Sequence, residues 1–372
     1  MMNLAINLPV INITFKQLVA SFIQRSERGN VILIVKDDTD KTFTTKVYEQ
    51  QPDLDADKTL YTADNYTYIS DCFLGKPNKV TVVRIDATGG LFTDALNIIK
   101  GLEIGWIGTI EETSTQADQD ALVTFVKAQR ANKKNFKCAV FSPTTPPNDK
   151  GIVVLGNTNV TFKDNRVTQT GDKAIPTLIG YLAGANVMKG TTYILLSNLT
   201  SVTEPVDVNT AINAGQLILI NDDAEVKIGV GINSLTDAPE GEPIGTENDE
   251  SYIEIVEAED MIQDDIGKAF KAGYIGVLKN NLDNQMLFIN EVNQYFGGLE
   301  TINVLDNQYN NVSDIDVDAQ RAVLVANNIP GASAMTDAQV KQYTYKRDMY
   351  LKADIKILFA IANLNFGITM HN

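Results

Sequence analysis

Val31-Ile-Leu-Ile-Val35 is a run of five apolar residues, all but one of them β-branched. A run this short and this apolar reads as a strand buried on both faces, the kind found inside a parallel sheet rather than at a half-wet surface. Further on, Val80-Thr-Val-Val-Arg-Ile85 repeats the pattern, and between the two Tyr66, Ile69 and Phe73 fall on one helical stripe. Strand, helix, strand is the order of a β-α-β unit. It continues with Ile104 to Ile107, a helix presenting Leu122, Phe125 and Val126, and a strand from Phe136 to Phe141. Ile152 to Leu155 follows, then a helix carrying Leu178, Tyr181 and Leu182, then Tyr193 to Leu196. Leu217 to Ile220 and the alternating Val226, Ile228, Val230 and Ile232 complete the set. Strands interleaved with helices imply an α/β body with a mixed, largely parallel sheet covered on its faces.

The composition shifts at Asp237. Between Asp237 and Asp260 there are ten acidic residues and no Lys or Arg, with Pro239, Gly241, Pro243 and Gly245 close together. This reads as a surface loop and a domain boundary. Beyond it the chain turns helical: Met261, Ile262, Ile266, Ala269 and Phe270 form one apolar face, and Leu287, Val292, Tyr295, Phe296 and Leu299 another. A shorter helix is expected over Asp318 to Ala326, and Thr336 with Gln339 has the spacing of a capping box.

The two ends share a pattern. Leu4, Ile6, Leu8 and Val10 hold even positions; after Pro9 the phase flips to Ile11, Ile13 and Phe15. At the C-terminus Ala353, Ile355, Ile357, Phe359 and Ile361 are odd, and Leu364, Phe366, Ile368 and Met370 are even. A one-residue slip exchanges the two faces of a strand, so each flip separates a strand of the body from a terminal strand. Pro9 and Asn363 mark the two hinges. The terminal strands either pair with the chain's own sheet or complete the sheet of a neighbouring copy.

Charge and composition remove several functions. The 372 residues carry 31 Lys and Arg against 47 Asp and Glu, a net charge of -16, which is the wrong sign for neutralising phosphates, so no nucleic-acid partner is expected. The basic cluster Lys127, Arg130, Lys133, Lys134 and Lys137 reads as a solvated helix end. The single histidine, His371, stands next to the last residue, a poor place for a catalytic triad or a multi-histidine metal site. Cys72 and Cys138 are far apart and suit buried free thiols in a reducing compartment. The longest apolar runs fall well short of the roughly 20 residues of a spanning helix, and the first residues lack a signal-peptide core, so synthesis and use in the cytosol, or exit by a route that needs no signal, are expected without membrane insertion.

Motifs for chemistry are incomplete. Asp53-Leu-Asp-Ala-Asp57 and Asp314-Ile-Asp-Val-Asp318 begin like calcium loops, but Lys58 and Ala319 replace the glycine at the sixth position, and Asp64 and Val325 the glutamate at the twelfth. Gly89-Gly90 follows a strand without completing a phosphate-binding fingerprint. Gly101, Gly105 and Gly108 around Trp106 suit tight packing at a strand end. No catalytic, cofactor or metal residue is assigned.

Three segments carry a resemblance. Ile179-Gly-Tyr-Leu-Ala-Gly-Ala-Asn-Val-Met-Lys-Gly-Thr-Thr-Tyr193 resembles the small-residue segment, followed by Thr-Tyr, of contractile phage tail sheath proteins. Ala211-Ile-Asn-Ala-Gly215, Leu217 to Ile220, and Val226 onward to Gly231-Ile-Asn-Ser-Leu-Thr236 are similar to a second run of that family in the same order. Tyr350-Leu-Lys-Ala-Asp-Ile-Lys-Ile-Leu358 and Leu364-Asn-Phe-Gly-Ile-Thr-Met370 are similar to the C-terminal strands of sheath proteins from phages, defective prophages and R-type bacteriocins of Gram-positive bacteria. Between those strands the chain departs from the family, with Phe359-Ala-Ile-Ala-Asn363 in place of an acidic turn.

The resemblance implies a structural subunit and no enzyme. It would polymerise with itself as stacked hexameric rings around a tail tube protein, capped by baseplate and tail terminator proteins, and contract to drive the tube through an envelope. The particle would be a phage tail or bacteriocin assembled in the bacterial cytoplasm and released by lysis. It further implies an N-terminal arm over residues 1–17, an α/β segment over 18–88, a central subtilisin-like sheath domain over 89–236, an acidic linker over 237–252, an α+β C-terminal domain over 253–362 and a C-terminal arm over 363–372. Leu4, Ile6, Leu8, Leu364, Phe366, Ile368 and Met370 would be the inter-subunit contacts, and Lys268, Lys271 and Lys279 would face the tube. The competing expectation is a cytosolic α/β enzyme handling a nucleotide or acyl group.

Overall fold

The computed structural model describes residues 29–110, 115–185 and 187–370. The N-terminal positions Leu4, Ile6, Leu8 and Pro9, and His371, lie outside the described residues. In chain order the first elements are β1 (Asn30–Lys36), β2 (Thr45–Tyr48), α1 (Gln51–Ala56), α2 (Ala63–Cys72), β3 (Lys79–Ile85), α3 (Phe92–Ile99), β4 (Trp106–Ile110), α4 (Gln116–Ala131), β5 (Lys137–Phe141) and β6 (Ile152–Leu155). Next come β7 (Asn159–Phe162), β8 (Thr168–Thr170), α5 (Ile175–Gly184), β9 (Leu199–Val202), α6 (Val208–Asn213), β10 (Gln216–Leu217), β11 (Leu219–Asp222) and β12 (Glu225–Ile228). The remainder is α7 (Ile253–Gly273), α8 (Leu282–Thr301), β13 (Val312–Ile315), α9 (Val317–Ala326), α10 (Asp337–Gln342) and β14 (Leu351–Asp354).

The main sheet has the order β10-β6-β5-β4-β1-β3-β2. Every neighbouring pair is parallel except β2 with β3. Two-residue periodicity explains why β1 is apolar throughout: Val31, Leu33 and Val35 join one core with Ile69 of α2 and Leu178 and Ile179 of α5. Ile32 and Ile34 join the other with Leu96 of α3 and Leu122 and Val126 of α4. Burying one such side chain is worth about 1.5–3 kcal/mol, so the layers on both faces stabilise this central strand.

The contact of α2 with α5 depends on glycine. A Cβ at Gly180 would stand 2.2 Å from the Cys72 carbonyl oxygen, and one at Gly184 only 1.7 Å from that of Gly75. These glycines, four apart on one face of α5, lie within the small-residue segment quoted above. Their spacing records a close helix approach.

Contacts divide the described chain into two compact units: residues 29–265, 299–309 and 355–370 form the larger, and residues 266–298 and 310–354 the smaller. The division falls inside α7. In the smaller unit β13 and β14 form an antiparallel pair, Leu324 and Val340 of α9 and α10 share an apolar cluster with Ala332, and Phe270, Tyr274 and Phe288 pack ring against ring. The capping box opens α10: Thr336 and Gln339 each accept from the other's backbone N–H.

Several strand expectations need correction. Tyr193 to Leu196 is not a regular strand: it runs beside β12 with one bridge from Leu195 to Lys227 and backbone bonds to Val226 and Ile228, and Tyr193 at φ +63 breaks it at its start. Leu217 to Ile220 divides in two: β10 extends the parallel sheet and β11 turns into a hairpin with β12. The alternation from Ala353 to Ile361 carries only β14 and one bridge from Leu305 to Ile357, since the partner β13 is four residues long. Strands β2, β7, β8, β9 and β13, absent from the sequence reading, complete the described sheets.

Candidate functional site

The described residues contain no recognisable catalytic centre, and the place where an open α/β sheet would hold a ligand is informative. Strand β1 lies between β3 and β4, so consecutive connections leave it in opposite directions and a crevice opens at its C-terminal end. A cavity of about 1140 Å³ lies there, lined among others by Lys36, Asp37, Thr62, Asn65, Tyr68 and Arg166. The N-terminus of α2 faces this crevice, and Asp37 already occupies it. Its carboxylate accepts from the Thr62 N–H at 2.8 Å, from the Asn65 amide at 2.8 Å and from the Thr39 N–H at 2.8 Å. Burial pushes the carboxyl up, but these hydrogen bonds, led by that of Asn65, outweigh it and hold it below its usual range. A ligand phosphate at this helix end would meet a fixed anion.

On the cavity rim, Arg166 is held by Asp71 at 2.5 Å and by Asp164 at 2.6 Å, with its guanidinium 3.8 Å from the centroid of the Phe162 ring. The cation is fully engaged by its own chain.

The acidic triplets disperse in the same way. Asp57 pairs with Lys46, Asp55 accepts from Tyr66 and Gln51, and Asp53 caps α1. Asp314 pairs with Lys341, and Asp316 caps α9. Among the described residues no three His, Cys, Asp or Glu side chains come together as a metal site. At Gly89 the chain takes φ +81 in a turn before α3.

The basic cluster is only in part the solvated helix end expected of it: Lys133 and Lys134 are exposed, whereas Arg130 and Lys137 are turned into the fold. Lys137, 3% exposed, pairs with Glu257 at 2.7 Å and Asp260 at 3.2 Å. Arg130 pairs with Asp260, and Lys127 and Lys134 donate to the carbonyls of Pro147 and Lys100. Trp106 donates its indole N–H to Glu257 at 3.0 Å. The acidic first half of α7 supplies the counter-charges of Arg130 and Lys137, so these two cations are used inside the fold. Sequence reasoning missed the network, although a lysine opening a buried strand beside Phe136 was a signal for a hidden partner.

The C-terminal segment of the larger unit is left without a covering. Residues 355–360 are tied down. Asp306 N–H donates to the Lys356 carbonyl at 2.9 Å, Leu358 N–H donates to the Val304 carbonyl at 3.0 Å, and Phe359 meets Tyr252 edge to face at 5.2 Å. Beyond Ala360 the chain runs in the open: Leu364 is 84% exposed, Phe366 75%, Ile368 72% and Met370 84%. Within residues 361–370 no hydrogen bond to another described residue is made. In the smaller unit Lys268 and Lys271 are exposed on α7. The helix ends at Gly273, so Lys279 belongs to the connection to α8 and not to the helix.

Comparison with known proteins finds tail sheath proteins. Residues 246–371 match the phage tail sheath C-terminal domain. Over 97% of its length the chain is 26% identical to 98% of the tail sheath protein of Clostridium phage phiCD119. Along almost its whole length the chain is similar to tail sheath proteins, and residues 246–371 match their C-terminal domain. Its fold is that of a sheath tail protein from Desulfitobacterium hafniense, with TM-score 0.68 at 15% identity over 94% of this chain and 100% of that one. A sheath complex of an extracellular contractile injection system, solved in its contracted state, shares the fold with TM-score 0.62 at 13% identity over 97% of both chains.

Proposed function

We propose that this sheath protein works by exchanging terminal strands with neighbouring copies, polymerising as stacked hexameric rings around a tail tube and contracting to drive the tube through a cell envelope. The observation that carries the reading is the step at Ala360, where an anchored segment gives way to an exposed one whose apolar residues alternate from Leu364 to Met370. A seven-residue strand makes several ladder hydrogen bonds at about 0.5–1.5 kcal/mol each, while ordering it costs about 1–2 kcal/mol per residue. One arm alone is marginal; repetition in a lattice makes each further contact effectively intramolecular.

In this reading residues 1–17, with Leu4, Ile6 and Leu8, and residues 363–372 are the arms, and Pro9 and Asn363 their hinges. The α/β segment 18–88 and the subtilisin-like core 89–236 form the body, joined through the acidic linker 237–252 to the C-terminal domain 253–362. Lys268, Lys271 and Lys279 face the tube. Baseplate and terminator proteins close the two ends of a phage tail or bacteriocin assembled in the cytoplasm. The subunit is structural and not an enzyme, a reading supported by the way Asp37 fills the crevice.

Deleting residues 364–372 tests the proposal. The truncated chain should keep its circular dichroism and solubility but form no tubes in negative-stain microscopy. Tubes of normal form would overturn strand exchange, and an unfolded or aggregated product would mean that the strand belongs to the subunit's own core.

A further inference from the structure

We infer that a clasp formed by Glu254, Tyr252 and Gly190 sets the point from which the C-terminal arm pivots, fixing residues 355–360 to the body and confining motion to the chain beyond Ala360. This rests on the strand-exchange reading for its role, though not for its existence.

The clasp is built from three segments of the larger unit. Asn303, at φ +58, turns the chain back after α8 and brings Val304 and Leu305 alongside Ile357 and Leu358. Tyr252, immediately before α7, offers its ring to Phe359. Glu254, in the first turn of α7, accepts the Ala360 N–H with both carboxylate oxygens, at 3.3 and 3.4 Å. Acceptance by a carboxylate strengthens such a bond, and the position at a helix N-terminus favours the charge. Burial works against it and raises the carboxyl above its usual range, with the Ala360 N–H opposing the shift.

Gly190 makes room for the contact. A Cβ there would lie 2.6 Å from a Glu254 carboxylate oxygen and 2.8 Å from the Ala360 Cβ. Any larger residue must push the two apart. Exposure changes abruptly at the clasp, from 44% at Phe359 to 98% at Ile361. A hinge needs a firm side as well as a loose one, and here the firm side ends at a charged acceptor while Asn363 lies within the loose side.

Hydrogen exchange on the full chain, read by mass spectrometry on peptides covering residues 351–362, tests the clasp directly. Glu254→Ala and Gly190→Ala should each speed exchange of those amides about tenfold or more, with peptides of β1 and β3 unchanged, and their tubes should be irregular or absent. Glu254→Gln, which keeps an acceptor oxygen, should recover most of the protection and serves if the alanine variants fail to fold. Unchanged exchange in these variants would overturn the clasp. Faster exchange with tubes of normal order would overturn its role as pivot while leaving strand exchange intact. Loss of strand exchange itself is read separately, from the chain lacking residues 364–372.

Discussion

Arg130 closes on Asp260 with both terminal nitrogens, at 2.9 and 3.0 Å, joining the end of α4 to the first half of α7 across a sequence separation of 130 residues. Lys137 reaches the same carboxylate at 3.2 Å, and the side chains of Asp260 and Lys137 are each 3% exposed. Burial alone would lower the Arg130 pKa, but the Asp260 carboxylate outweighs it and raises it. The first half of α7 is thereby fixed to the α/β body by charge rather than by an apolar stripe alone.

Removing Asp260 takes the carboxylate away from the buried Arg130 and leaves Lys137 with Glu257 alone, whereas removing Arg130 leaves Asp260 still paired with Lys137. Breaking a buried pair from one side costs about 3–5 kcal/mol. Asp260→Ala should therefore lose stability in that range, and Arg130→Met distinctly less. Urea unfolding of the two variants checks the order, and equal losses would show that Lys137 does not share the carboxylate.

Asp37 leads to a pH dependence. Its carboxyl titrates below its ordinary value of 3.8 in the folded chain, so the unfolded state binds the proton more tightly. The stabilisation is complete above that ordinary value and is lost as pH falls through the lower, folded one. Asp37→Asn turns one acceptor oxygen into a donor that faces either the Thr39 N–H or the Thr62 N–H and Asn65 amide, and should cost about 1–3 kcal/mol at neutral pH. Because the variant has already lost that carboxylate, its deficit should shrink in acid. Chemical denaturation at pH 7 and pH 3 measures both, and a deficit that grows in acid would reverse the sign argued here.

How far these features can be read in advance depends on how local their cause is. Val31 to Val35 and Val80 to Ile85 declare themselves because burial on both faces leaves an unbroken apolar run. Asn159–Phe162 and Thr168–Thr170 do not: they are short and partly exposed, and their pairing depends on a turn that places Val167 at φ +50. The Arg130–Asp260 pair spans a distance no periodicity reaches, and Glu254, Glu257 and Asp260 sit in an acidic stretch that reads as solvated surface. The phase flip at Asn363 is visible because it is a one-residue event, but the anchoring of Ala360 depends on Gly190, far away in the chain.

Val167 itself yields a third expectation. A β-branched residue at positive φ carries backbone strain of about 1–3 kcal/mol, whereas asparagine accepts that region more readily. The side chain is 61% exposed, so little packing is lost on exchange. Val167→Asn should raise stability by about 1 kcal/mol, seen as a higher urea midpoint with an unchanged slope. A lower midpoint would mean that the valine packs in a way its exposure conceals.

The tube contact is tested on α7. Lys268 and Lys271 are three residues apart, so they share one helix face, and both are exposed in a chain of net charge -16. Local cations in an acidic molecule make a contact of the right sign for acidic groups on a tube, and charge pairs repeated along many subunits add steering and register more than affinity in any single contact. Reversing both to glutamate changes each subunit by four charge units, while exposed ion pairs are worth about 0–1 kcal/mol, so folding should be nearly unaffected. The double variant should form sheath-like tubes on its own yet retain the inner tube poorly when the two proteins are expressed together, and raised salt should reproduce part of that defect in the unmodified protein. Lys279→Glu, lying beyond the helix end, should add to the defect if the connection from Gly273 to Leu282 also meets the tube. Fully sheathed particles from the double variant would remove these lysines from the interface.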